Sequence, residues 1–150
     1  MLEDVEESAK EELKRADHMI YVTLKYTRTA DVIKNTIKRL ISAFDFAIID
    51  ILKHMKSKKK IKNIPELPKL RADLLHAISA EFQEDIDFYI LLKNIDKAEY
   101  SKKEEYRKNV ALLAHINPNE TREINMPLLM EYYKKTIDFV KRSEEMRTKK

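Results

Sequence analysis

Cysteine, glycine and tryptophan are all absent from this 150-residue sequence. Without cysteine there are no disulfides, no thiolate metal sites and no cysteine nucleophile. Without glycine there is no glycine-rich phosphate loop, no dinucleotide-binding fingerprint and no nucleophile elbow. The same lack disfavours folds that need many tight turns at positive φ, and helical hairpins tolerate it best. Long apolar runs are missing too, since no stretch approaches the roughly 18 residues a membrane span needs. The opening MLEDVEESAKEE is acidic and polar, unlike a secretory leader. These absences lead to the expectation of a cytoplasmic protein with no disulfides and no membrane partner.

The residues that are present are 43% hydrophobic and 37% charged, too apolar for a disordered chain and too charged for a membrane protein. No internal repeat or composition break divides the chain, so residues 1–150 are expected to form a single helical-bundle domain. Abundant lysine, glutamate and isoleucine with no cysteine fit a thermophile's composition.

The organising stretch is Thr29 to Met55. Ile33, Ile37, Leu40, Ile41, Phe44, Ile48, Ile51, Leu52 and Met55 recur at steps of three and four, which places them on one helix face. Val32, Ala43, Phe46 and Ile49 make the opposite side apolar as well. A rod oily on two sides has to be covered on two sides, by its own chain or by a second copy. A first helix is expected from Glu3 to Tyr26, with the stripe Leu2, Val5, Ala9, Leu13, Ala16, Ile20 and Leu24. Thr27-Arg28-Thr29 is a short break with Thr29 as N-cap, so these two helices should be antiparallel neighbours. Pro65 and Pro68 close the following connector, and a third helix is expected from Leu70 to Lys97. Its apolar set is Leu70, Leu74, Ile78, Phe82, Ile86, Tyr89 and Leu92.

SKKEEYRK, after Tyr100, favours a helix. Asn117-Pro118-Asn119-Glu120 reads as a type I turn joining a β-hairpin of 109–116 with 121–125. Two helical segments broken at Pro118 are the competing reading. A last helix should start near Asn125, with Pro127 in its first turn, and fray at SEEMRTKK. The expected fold is mainly α, a four-helix up-down bundle with a long central helix and a small β-hairpin near 109–125.

Several groups could carry chemistry. Much of the net charge of +4 sits in Lys56, Lys58, Lys59, Lys60 and Lys62. Such a cluster is either a solvated loop or a contact for nucleic-acid phosphates through Lys58, Lys59, Lys60 and Lys62. On a straight third helix, Asp85 falls within the apolar stripe with Glu81 beside it, and Asp45 or Asp17 could face them. Glu81, Asp85 and Asp45 are therefore buried-acid candidates, to be paired, protonated or exposed by a bend. Asp73 and His76, three apart, have the spacing of bundle metal sites, although one such motif does not complete a di-metal set. His18, His54 and His115 read as surface or capped histidines.

The run Arg71-Ala72-Asp73-Leu74-Leu75-His76, an arginine followed at short spacing by a histidine on a helical bundle, resembles the signature of the HEPN superfamily. That resemblance implies a cytosolic homodimer with metal-independent ribonuclease activity, often half of a toxin–antitoxin pair. It also implies a dimer-interface site with Arg71 on phosphate and His76 in acid–base or orienting work. Ala72 stands where the family usually has a polar residue. EEYRKNVALLAHI and EINMPLLMEYYKKT resemble small uncharacterised archaeal helical proteins, which implies no activity. The reading that fits best is a non-catalytic helical interaction module, a homodimer with an RNA or protein partner and no cofactor. Its rivals are an HEPN-like ribonuclease and a metal-binding bundle.

Overall fold

The computed structural model describes residues 8–148. The expected start at Glu3 and the stripe positions Leu2 and Val5 lie outside them. Helix α1 comprises Ala9–His18, a π-helical turn Met19–Thr23 and a last turn Leu24–Tyr26. Then come α2 (Ala30–Ser57), α3 (Pro68–Ile78), a 3-10 turn (Ala80–Phe82) and α4 (Gln83–Lys97). Strands β1 (Glu99–Lys103), β2 (Ala111–Asn117) and β3 (Glu120–Asn125) precede α5 (Met126–Thr148). The chain is mainly α, and among the described residues no helix is long and apolar enough to cross a membrane.

Helix α2 is the common partner. Thr29 caps its start, accepting the Val32 N–H at 3.3 Å, and the Glu105 carboxylate accepts the Ala30 N–H at 2.8 Å from across the fold. Both satisfy donors that the first helical turn leaves open, and the carboxylate also suits the positive end of the helix dipole. Buried positions from Ala30 to Met55 cover about half the circumference at 100° per residue. Phe44 stacks on Phe139 of α5 at 4.6 Å and meets Tyr89 and Phe88 of α4 at 5.6 and 5.8 Å. Ala43 is fully buried at the edge of this arc; beyond it Val32 and Phe46 are half-buried against the core, and Ile49 is half-buried.

Side-chain pairs give the directions. Glu12 meets Arg39 and Met19 meets Thr36, so α1 runs against α2. Tyr89 meets Asp45, and Asp96 meets Lys38, so α4 also runs against α2. Phe139 stacks on Phe44, and Arg147 approaches Asp50, so α5 runs along α2.

Three expectations are corrected. The single helix over 70–97 is broken at Ser79, whose backbone is extended (φ −133°, ψ 107°). Chain direction then reverses, so that His76 reaches back to Asp87 at 3.1 Å. Leu70, Leu74, Ile78 and Phe82 are spaced by four, and each step turns 40° beyond a full circle, so the supposed stripe drifts round the helix. Leu70 and Ile78 are accordingly exposed, while Ala72 and Leu75 face the core. Secondly, the hairpin forms as Ala111–Asn117 against Glu120–Asn125, but β1 pairs with β2 as a third antiparallel strand where a helix was expected. Tyr100 fixes β1 to α2 by donating to the Asp31 carboxylate, beneath the Lys34 ammonium. Thirdly, α5 starts as expected, with the Asn125 side chain accepting the Leu128 N–H at 2.9 Å, but it stays helical through Thr148.

Truncating Phe44 to alanine removes a ring packed by three others, and the expected cost is about 3–5 kcal/mol. Ile49→Ala should cost about 1 kcal/mol, because that side chain is already half in water. Urea denaturation of both variants checks the contrast, and equal losses would contradict this assignment of the buried side.

Candidate functional site

Because α3 folds back on α4, the two helices enclose a groove of about 540 Å³. Lys69, Ala72 and Asp73 line it from α3, and Tyr89, Ile90, Lys93, Asn94, Asp96 and Lys97 from α4. Lys69 pairs with Asp73 at 3.4 Å, and the Lys93 ammonium lies over the Tyr89 ring at 5.4 Å. Tyr89 donates its hydroxyl hydrogen bond to Asp45 of α2. Burial raises the Asp45 carboxyl above its ordinary value, and the Tyr89 hydrogen bond with the Lys93 and Arg71 charges opposes that shift. Burial, then the hydrogen bond to Asp45, raises Tyr89 as well. The groove thus has an apolar floor, a hydrogen-bonded acid beneath it and lysines at its rim.

The connector leads into this groove. Helix α2 ends with Lys58 at its C-cap and Lys59 in the left-handed region at φ 61°. The Lys60 N–H reaches the Met55 carbonyl at 2.9 Å, and the Lys59 N–H reaches Lys56 at 3.0 Å. This is the Schellman closure, which usually recruits glycine and here uses lysine. Lys58, Lys59, Lys60 and Lys62 are all exposed. From Lys56 to Arg71 there are seven basic residues and only Glu66 as an acid, more than the whole chain's net charge of +4. Arg71 ties the connector down, donating to the carbonyls of Pro65 at 2.8 Å and Glu66 at 2.6 Å.

Arg71 and His76 share α3 but are held by different partners, since His76 meets Asp87 rather than any group near Arg71. Asp73 is bound to Lys69, so it does not join His76 in a ligand pair. Among the described residues no group of three or more His, Asp or Glu side chains is placed to hold a metal ion. The buried-acid expectation needs correction at Glu81, which is exposed on the 3-10 turn where the predicted stripe breaks. Asp85 is half-buried and paired with Arg142 at 2.5 Å; Arg142 also holds Asp138 at 2.9 Å and lies over the Phe82 ring. Asp17 accepts from Tyr133 at 3.0 Å, far in the chain from the acids it was expected to face.

Two features escaped the sequence. Glu12 is 2% exposed and is bound by Arg15 and by Arg39. Its position between Ala9 and Ala16 on the buried side of α1 was the available signal. Ser101, His115 and Thr121 form a hydrogen-bonded row across the exposed face of the sheet, with contacts of 2.6 and 3.2 Å. Only strand pairing brings these three together. Comparison with protein-family models, with curated proteins and with solved structures finds no match to this chain.

Asp45→Asn keeps an oxygen for the Tyr89 hydroxyl and removes the half-buried charge. Since the folded pKa is raised, Asp45 favours the fold fully below its ordinary 3.8, and this contribution is lost as pH rises through the folded value. The variant should therefore be more stable than wild type in urea at pH 7, with the difference vanishing as the pH falls below 3.8. A variant less stable at pH 7 would contradict this reading of the site.

Proposed function

We propose that this chain is a non-catalytic, cytosolic helical interaction module whose ligand is a polyanion, RNA foremost, bound by a homodimer. The observation that carries the reading is the concentration of positive charge on the exposed connector, where residues 56–71 hold seven basic side chains against one acid. Exposed lysines bind phosphates without sequence preference and release condensed counterions when they do. In this reading α1, α2, α4 and α5 are the four-helix up-down bundle, and α3 with its connector is the binding attachment. The dimer is supported by apolar side chains left in water on this attachment and on the α4 face beside it: Leu67, Leu70 and Ile78 are 60%, 48% and 43% exposed, and Ile90 of α4 is 40% exposed. Aliphatic groups exposed on and beside one attachment favour association through it.

Fluorescence anisotropy with labelled RNA across a salt series tests the charge. Changing Lys58, Lys59, Lys60 and Lys62 together to glutamine should flatten the slope of log K against log salt by about 3, at roughly 0.7 per lost single-strand contact. An unchanged slope would rule out the connector. Light scattering should return twice the chain mass of 17.8 kDa. A strict monomer would remove the dimer. The same RNA incubations bear on the HEPN-like alternative, in which wild type cuts RNA and His76→Ala does not.

A further inference from the structure

The end of the molecule remote from the connector carries a second surface. Tyr26 and Tyr106 are 80% and 74% exposed, more than any other large apolar side chain among the described residues. Tyr26 closes α1, and Tyr106 lies in the 104–110 loop between β1 and β2. Two contacts clamp that loop onto the start of α2: the Tyr106 N–H donates to the Arg28 carbonyl at 2.6 Å, and Glu105 accepts from Ala30 at 2.8 Å. Both tyrosines therefore lie within two residues of one shared hydrogen bond.

The loop backbone is strained. Glu104 and Tyr106 have φ of 49° and 65°, in the left-handed region that a β-carbon disfavours. An aromatic ring would ordinarily be buried, yet here a strained backbone holds one in water. Charge adds a second, independent observation. Lys25, Arg28, Arg107 and Lys108 have no acidic partner among the described residues. The neighbouring Lys102 and Lys103 are paired with Asp31 at 3.6 Å and Glu123 at 3.0 Å.

We infer that Tyr26 and Tyr106 are a stacking platform for the bases of single-stranded nucleic acid, with Lys25, Arg28, Arg107 and Lys108 taking its phosphates. This rests on the polyanion reading above and adds strand state to it. Unpaired bases offer π faces to tyrosine, and neighbouring cations neutralise the backbone between them. A duplex hides those faces in its own stack, so the platform discriminates between single and double strands.

The test uses a Tyr26→Ala/Tyr106→Gly double variant; glycine accepts the φ of Tyr106 without strain, and circular dichroism checks that the fold is kept. Labelled oligouridine, oligothymidine and a matched RNA duplex are titrated by anisotropy at fixed salt. Wild type should prefer the single strands, and the double variant should lose about 10-fold on them with duplex binding unchanged. Tyr26→Phe/Tyr106→Phe should bind like wild type, since the rings and not the hydroxyls do the stacking. Oligouridine against oligothymidine tells RNA from DNA. A double variant that binds single strands as wild type does, or a wild type without single-strand preference, overturns the platform. If only the connector glutamine variant loses affinity, the platform falls and the polyanion reading stands; if wild type binds no nucleic acid at low salt, both fall.

Discussion

Hydrocarbon contact along one half of α2 is the interaction that the other helices and β2 share. Each neighbour supplies a wall of it: Ala16 and Leu24 of α1, Leu75 of α3, Tyr89 and Leu92 of α4, Leu112 of β2 and Phe139 of α5 are all buried in one core with it. Phe44 stands at the centre, stacked on Phe139 and edged by Phe88. Helices gain most of their stability from such packing rather than from intrinsic propensity. The charged features lie outside this contact, on the connector, the α3–α4 groove and the loop at the opposite end.

How far the sequence reveals this depends on which force decides each element. Where burial and local capping agree, the reading holds: Thr29 and Asn125 cap the helices they were expected to cap, and the mixed three-and-four spacing from Ile33 to Met55 marks the buried side. Asn117 likewise stabilises its turn, its side chain accepting the Asn119 N–H at 2.9 Å. Where a tertiary contact decides, the reading fails. EYSKK has little strand character of its own and becomes β1 because β2 offers its edge and Asp31 takes the Tyr100 hydroxyl. The break at Ser79 hides behind a run of spacings of four that looks like one stripe until its drift is followed. The groove at the candidate site exists only because of that break, so its composition could be read and its shape could not.

The absence of glycine shapes the details. Left-handed backbone is still needed at Lys59, Glu104 and Tyr106, and there the chain places charged or aromatic residues. Two of these positions make backbone contacts that fix the chain: Lys59 closes the end of α2, and Tyr106 ties its loop to Arg28. Each also presents its side chain to solvent, with basic residues next to it in the chain. The same backbone strain that ends a helix or clamps a loop thus sets out the groups to which we assign binding.

Native-state hydrogen exchange across a denaturant series tests the central role of α2 most directly. The account predicts that amides from Leu40 to Leu52 exchange only through global unfolding and are the slowest in the protein, with those of α3 opening earlier. Exchange in α2 that is as fast as in α3, or that proceeds through a local opening, would contradict it.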